Sequence, residues 1–330
     1  MTVLVTGGSG FVGSAVVRYL LAKGLAVRAL VRATSSRRHF DGLGAEIAIG
    51  SLDDPTTLAE AARGCDGLFH VAADYRMWAR DPNEMFRTNV EGTRNVLRAA
   101  ANAGARRIVY TSSVATLGRG ADGESSTEDT PSAIEGMIGP YKRSKYLAEA
   151  EVQRLVAEER LPVVTVNPSA PIGPRDARPT PTGRMVIEAA SGRMPCYVDT
   201  GLNIVHVDDC AAGHWLAFER GRIGERYILG GENLTLLEIA TRIARLTGHA
   251  PPRFRIPHGA VLPVAYAAEA WARWIGRGEP LITVSGVQLS RKKMFFSIDK
   301  AKRELDYRPR PADAAFADAV AWFRTNGYLS

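Results

Sequence analysis

A short apolar run, Val3-Leu4-Val5, passes directly into Thr6-Gly7-Gly8-Ser9-Gly10-Phe11-Val12-Gly13 and then into a helical pattern from Ser14 to Lys23. No other stretch limits the fold so tightly. Strand, glycine turn and helix in that order make the first βα unit of a nucleotide-binding sheet. Gly7 permits the tight turn, Gly10 lets the main chain approach a pyrophosphate, and Gly13 lets helix and strand pack closely. The helix start adds free N–H groups and a positive dipole end, both of which favour phosphate. An ordinary βα turn is the bland alternative, and three glycines alone would not exclude it. Their flanking strand and helix favour the nucleotide reading.

The remainder of the first half repeats the alternation. Strands are expected at Ala26–Val31, Glu46–Ile49, Leu68–Val71, Arg107–Ser112 and Val163–Val166, with helices at Pro55–Arg63, Asn89–Ala103 and Pro140–Glu158. Asp54 and Pro55 read as an N-cap and first helical residue. Such a pattern predicts an α/β fold with a doubly wound parallel sheet of the Rossmann type. After Asn167 the texture changes. Pro168, Pro171, Pro174, Pro179 and Pro181 predict a long irregular segment, read as lining a substrate cleft. A strand at Ile204–Val207, a helix at Asp208–Arg220, a strand at Tyr227–Leu229 and helices at Leu234–Thr247, Ala260–Ile275, Asp299–Leu305 and Ala312–Asn326 follow. We therefore expect residues 1–167 to form the nucleotide-binding domain, with 204–220 returning to it. Residues 168–203 and 221–330 would form a smaller, interleaved C-terminal substrate domain.

Bulk properties narrow the function classes. The 330 residues suffice for a large core, and with the first strand read at residue 2 no leader segment is expected. Three widely spaced cysteines and six unclustered histidines give no metal-ligand pattern, so a metal-free, cytoplasmic protein is expected. The net charge of +7 raises nucleic-acid binding. Scattered cations without interleaved aromatics argue against it, and a small-molecule substrate is expected instead. The helix 260–275 contains Pro263, Glu269 and Arg273 and is too short and too charged to span a bilayer. Its Trp271 and Trp274 could place it on a membrane surface, but packing against the substrate domain is the favoured reading.

Tyr141 and Lys145 stand at i and i+4 near a helix start and share one face. An ammonium beside a phenol is expected to pull its pKa down toward neutrality, which would make Tyr141 a proton donor or acceptor for a hydroxyl/carbonyl pair. Tyr-x-x-x-Lys is common on helix surfaces. Downstream of a glycine-rich nucleotide turn it gains weight. Ser112 and Ser113 end the fifth strand, at the sheet edge where ligands of open α/β sheets bind. One could hold the reacting oxygen; the other suits a turn or cap.

Together, Thr6 to Gly13, Val71-Ala72-Ala73, Asn89, Thr111-Ser112-Ser113 and Tyr141-x-x-x-Lys145 resemble the extended short-chain dehydrogenase/reductase superfamily over essentially the whole chain. The runs Asn167 to Pro174, Pro179 to Arg184 and Tyr197 to Asn203 resemble the hopanoid-associated sugar epimerase family, with dihydroflavonol 4-reductase-like enzymes next. By position the resemblance makes Ser113, five residues before Gly118, the catalytic serine beside Tyr141 and Lys145. It implies that Gly7, Gly10, Phe11 and Val12 hold a pyrophosphate and that Ala72, Ala73 and Thr111 run beside the cofactor. Lys145 would bind the nicotinamide ribose, with Pro168 and Ser169 bordering the nicotinamide. It further implies a homodimer, built from the helices 89–103 and 140–158 of two copies.

Two departures bear on cofactor choice. Arg32 ends the second strand where NAD-preferring relatives place an acidic residue, so NADP(H) is expected, with NAD(H) the alternative. Ser51 replaces a common aspartate near the adenine, leaving Ser51 and Leu52 as the expected ring contacts. Ser113-Val114-Ala115 stands where related dehydratases carry Thr-Asp-Glu, which argues against dehydration. Carbonyl reduction and epimerisation through a transient ketone remain, with Arg32 favouring reduction. A non-catalytic, nucleotide-sensing scaffold is a third reading, disfavoured because Ser113, Tyr141 and Lys145 are all present. On the substrate side Tyr75, Met77 and Trp78 are expected to overhang the nicotinamide and Tyr197 to form the opposite wall. Such a lining suits a partly hydrophobic, terpenoid or sugar-bearing substrate. Arg184 and Arg193 could meet phosphates or simply face water.

Overall fold

A computed structural model describes residues 1–76, 81–120, 124–275 and 283–329, apart from the side chains of Arg273 and Ile275. The chain runs β1 (Thr2–Thr6), α1 (Phe11–Ala22), β2 (Ala26–Val31), β3 (Glu46–Ile49), α2 (Pro55–Ala62), β4 (Gly67–His70), α3 (Pro82–Phe86), α4 (Gly92–Asn102), β5 (Arg107–Thr111), α5 (Gly139–Glu159) and β6 (Val163–Pro168). It continues through β7 (Ala170–Ile172), α6 (Pro181–Ala190), β8 (Cys196–Tyr197), β9 (Gly201–His206), α7 (Val207–Arg220), β10 (Arg226–Leu229), β11 (Glu232–Thr235) and α8 (Leu236–Thr247). Last come β12 (Phe254–Arg255), α9 (His258–Ile275), α10 (Val284–Ser290), α11 (Asp299–Leu305) and α12 (Ala312–Thr325).

Seven strands form one parallel sheet in the order β10-β6-β5-β4-β1-β2-β3. This is the Rossmann architecture, and the strand order reverses between β1 and β4. Thr6 pairs with His70 on one side and with Leu30 on the other, so the ends of three strands line up at that crevice. Strands with helices on both faces are apolar throughout, as Val3-Leu4-Val5 shows: none of the three is exposed. One face packs α1 and α7 through Val16, Leu20, Cys210 and Phe218. The other packs α2, α4 and α5 through Leu58, Leu97, Val152 and Leu155. A third core, including Ile187, Ile239, Phe316 and Phe323, holds α6, α8 and α12 against the three-stranded sheet β11-β9-β7. Each fully buried aromatic there contributes about 1.5–3 kcal/mol.

The domain boundaries need correction. Tyr227–Leu229, assigned to the substrate part, is the edge strand of the large sheet, paired with β6. Ile204–Val207 does not return to that sheet; β9 pairs with β7 and β11, and only α7 packs back on α1. Nor is the proline-rich stretch irregular throughout. Pro168 ends β6, and Pro171 lies in β7, an outer strand of its sheet where a missing N–H costs little. Pro181 opens α6 at a position that needs no N–H, with Thr180 capping Gly183 N at 3.1 Å. The expected Asp54 cap is present, accepting from Thr56 N at 3.0 Å.

Candidate functional site

Backbone sterics build the nucleotide side of the crevice. Gly7 has φ +73°, and a Cβ there would lie 2.6 Å from Ala72 N. A Cβ on Gly13 would fall 2.1 Å from Gly7 O. No side chain fits at either point. Gly7 O accepts from Gly10 N at 2.9 Å, which folds the turn onto the start of α1. That helix start has no side-chain cap and no acidic residue in its first turn, so its N–H groups and positive dipole end face the crevice unneutralised. Phe11, Val12, Ala72 and Ala73 are half-buried beside it. These features fit a dinucleotide.

A buried polar chain fixes the loop opposite the turn. Thr6 Oγ1 meets His70 Nδ1 at 2.7 Å and accepts from Ala72 N at 3.2 Å, and His70 Nε2 meets Thr93 Oγ1 at 2.9 Å. Burial, then the Lys145 charge, pushes the His70 pKa down to about 3, so the ring stays neutral. A π-helical turn at Arg87–Glu91 precedes α4 and turns the Asn89 carboxamide inward. Its oxygen accepts from Asp74 N at 2.7 Å, and its nitrogen donates to Asp74 O and Ser144 Oγ, each at 2.9 Å. Ser144 donates in turn to Tyr141 O at 2.8 Å. The loop after β4 is thus tied to the first turns of α5.

Tyr141 and Ser113 come together here. The Ser113 hydroxyl lies near enough to the phenol to act on its protonation. It also accepts from Ala115 N at 3.1 Å as the cap of a short 3-10 turn, which orients it. The expected drop in the phenol's pKa is not found. Burial raises it, Ser113 opposes that rise, and Lys145 is no part of the balance. The reason is geometric: Lys145 Nζ donates to Thr111 O at 2.8 Å and to Tyr110 Oη at 3.3 Å, over the Tyr110 ring. Burial moves the Lys145 pKa down to about 8.

Ser112 does not share the role of Ser113. It is buried and donates to Glu149 Oε2. The same oxygen accepts from Thr116 Oγ1 at 2.8 Å and Asn167 Nδ2 at 3.0 Å, while Oε1 pairs with Arg226 at 3.0 Å. Asn167 Nδ2 also donates to Ser113 O at 3.0 Å. Glu149, Thr116 and Arg226 were not anticipated. A signal was available: Tyr141, Lys145 and Glu149 fall at i, i+4 and i+8 along one face of α5.

The other expected residues are placed unevenly. Thr111 is buried with Oγ1 on His214 Nε2 at 3.0 Å, so only its carbonyl faces the site, where Lys145 takes it. Leu52 is buried against Gly92, its carbonyl accepting from Asn95 at 3.1 Å, and Ser51 beside it is half-buried. Arg32 is exposed just beyond β2. Pro168 is the last residue of β6; Ser169 follows with a buried Oγ that has no partner. Tyr75 borders a cavity of about 390 Å³ with Arg76, Arg178, Pro179, Pro181 and Arg184. Tyr197 is not among these residues; it lies on β8, paired with β12. Arg193 faces solvent and pairs with Glu188. Met77 and Trp78 lie outside the described residues.

Both the glycine turn and the Tyr141 face of α5 lie within one continuous match, residues 3–230, to the NAD dependent epimerase/dehydratase family. The chain belongs to that family. It is 44% identical to a Synechocystis sp. protein provisionally named dihydroflavonol 4-reductase, over 98% of this chain and 95% of that one. It is 38% identical to sterol demethylase protein B of Methylococcus capsulatus over the full length of both. The crystal structure of gox2253 superposes with a TM-score of 0.90 at 53% identity, covering 100% of this chain and 99% of the other. Membership in the epimerase/dehydratase family, with reductase-like relatives, makes this an NAD(P)-dependent enzyme of the oxidoreductase type.

Proposed function

We propose that this enzyme is an NADP(H)-dependent reductase of a carbonyl carbon, or in reverse a hydroxyl carbon, on a hydrophobic terpenoid-type substrate. The observation that carries the reading is the half-buried Tyr141 phenol beside the Ser113 hydroxyl, with Lys145 one turn further along α5 and held on Thr111 O. The phenol is protonated at neutral pH, the form a reduction needs, and burial shifts its pKa further up. Ser113, held by Ala115 N, would hydrogen-bond the carbonyl oxygen, and Tyr141 would give its proton to that oxygen as negative charge develops on it. Lys145, largely charged at neutral pH, would hold the ribose. When bound, the nicotinamide supplies the hydride in one direction and accepts it in the other. Gly7, Gly10, Phe11 and Val12 would hold the pyrophosphate, with Ala72 and Ala73 alongside. Ser169 Oγ, buried without a partner, would meet the nicotinamide amide beside Pro168. Exposed Arg32, with exposed Arg37 and Arg38 nearby, supports a 2′-phosphate.

The name of the sterol demethylase relative and the resemblance to hopanoid-associated enzymes support a polycyclic terpenoid substrate. A second reading, a nucleotide-sugar epimerase that retains NAD, draws on Arg178 and Arg184 at the cavity, where a diphosphate would find cations. Net consumption of NADPH supports reduction; isomer interchange without it supports the epimerase. Either way α4 and α5 of two copies would form a homodimer. Tyr141→Phe should lower turnover by about 10²–10⁴-fold and leave NADPH binding unchanged. Undiminished turnover would move the proton to another group.

A further inference from the structure

Among its described side chains, the face of α9 directed away from the protein is apolar. Val264, Tyr266, Trp271 and Trp274 are 54%, 56%, 60% and 81% exposed. Residues 264, 267, 271 and 274 share one side of the helix by their 3-4-3 spacing, and Pro263, Ala267 and Ala270 are also exposed. The tryptophans therefore do not pack on the substrate part, against the expectation from sequence. What does pack is the opposite side. Ala265 and Ala272 are buried, Glu269 Oε1 accepts from Val284 N at 2.8 Å, and His258 Nε2 donates to Ser290 O at 2.9 Å. Both ionisable groups thus engage α10 and leave the outer face, among its described side chains, without charge. At the end where α9 begins, the chain exposes Phe254 together with Arg253, Arg255, Arg291, Lys292 and Lys293. Asp199 offsets part of this charge, pairing with Arg255 at 2.8 Å and lying 4.0 Å from Lys293. From this basic end to Trp271 the helix runs about 20 Å.

We propose that α9 lies flat on an anionic membrane surface, with its tryptophans in the headgroup–acyl boundary and the cations of residues 253–255 and 291–293 on lipid phosphates. Apolar face, interfacial tryptophans and flanking basic charge are the complement such a surface presents. Among the described residues no helix is long and apolar enough to cross a membrane, so the contact is one of lying on it. Its position has a consequence for the site. α10, on which α9 rests, abuts the start of α5: a Cβ on Gly139 would come within 3.0 Å of Ser285 Oγ, two residues before Tyr141. A substrate dissolved in lipid would arrive beside the proposed site. That last point rests on the proposed hydrophobic substrate; the membrane contact does not.

Sedimentation with vesicles of phosphatidylcholine alone, and of phosphatidylcholine mixed with phosphatidylglycerol, tests it. The protein should bind the mixed vesicles, with a blue shift in tryptophan emission and weakening in salt. Trp271→Ser with Trp274→Ser should weaken binding at least about tenfold and abolish the blue shift. Replacing Arg291, Lys292 and Lys293 by glutamine should cost about fivefold per charge. NADPH binding and thermal melting should stay as in the unaltered protein, which separates lost docking from lost folding. Absence of binding to mixed vesicles, binding indifferent to the tryptophans, or tryptophan-dependent self-association in place of lipid binding would each overturn the proposal. Failure to reduce any ketone would sink the proposed reaction and leave these readouts intact.

Discussion

The two walls of the crevice are built by different physics. The nucleotide wall is backbone: Gly7 and Gly13 have no room for a Cβ, and Thr6, His70 and Thr93 lock the neighbouring strand ends in buried hydrogen bonds. The proposed substrate wall, at the Tyr75 cavity, is side chains at a surface. Tyr75 is 53% exposed, and Arg76 beside it is engaged with Asp74 and Glu84. A wall defined by sterics admits one class of ligand, whereas a wall of exposed side chains can change occupant with few substitutions. The contrast makes the cofactor class secure and the substrate class a matter for experiment.

Glu149 is the strongest place to break that contrast, because it ties the end of β5 to α5, β6 and β10. It is buried, takes bonds from Ser112, Thr116 and Asn167, and offsets Arg226. Glu149→Gln leaves Arg226 without its charge partner and turns an acceptor into a donor facing other donors. Unfolding free energy should fall by about 3 kcal/mol, the low end for a broken buried pair because Arg226 is partly solvated. Chemical denaturation measures it. A loss below about 1 kcal/mol would show that the network is dispensable.

Arg32 tests whether the nucleotide wall ends where sterics end. Arg32→Ser removes an exposed cation from the end of β2 and nothing from the core. NADPH should bind about 10–100-fold more weakly, the worth of a hydrogen bond to a charged group, with NADH unchanged. Equal losses for both cofactors, or none, would remove the 2′-phosphate assignment.

Lys145 supplies a pH test. Its pKa of about 8 lies below the ordinary lysine value because burial disfavours the ammonium. Above about pH 8 the folded protein loses that charge, so cofactor binding should weaken there by up to about tenfold per pH unit. Stability moves the other way. The unfolded chain binds the proton more tightly, so the burial penalty is complete below pH 8 and is relieved as pH rises toward 10.5. Titrating NADPH affinity from pH 7 to 9 checks the first effect, and Lys145→Met should flatten the curve.

Legibility from sequence followed the same division. The parallel sheet, the glycine turn and the Asp54 cap were readable because each rests on local spacing or on the alternation of strands and helices. The phenol's pKa was misjudged because i, i+4 spacing gives a shared face and not an ammonium's direction; Tyr110 and Thr111 O, both on β5, decide that. Proline content misled for 168–190, since a proline at a helix start or on an outer strand is compatible with regular structure. Arg226 was hidden because β10 joins the large sheet only after a long excursion through the small one.

Tyr75 should give the smallest effect and the one most informative about the substrate wall. A hydrophobic substrate seated in the cavity with Pro179 and Pro181 would cover part of a ring that now stands half in water. Complete burial of an aromatic is worth about 1.5–3 kcal/mol, so partial cover gives about 1 kcal/mol. Tyr75→Ala should therefore raise KM about fivefold for an extended apolar ketone and leave kcat unchanged, since the lost contact is equal in the ground and transition states. A small water-soluble ketone, too short to reach the ring, should show no change. If both substrates respond alike, Tyr75 acts on the loop after β4 and through Asn89 on α5; if neither does, the substrate is held on the β8 side near Tyr197.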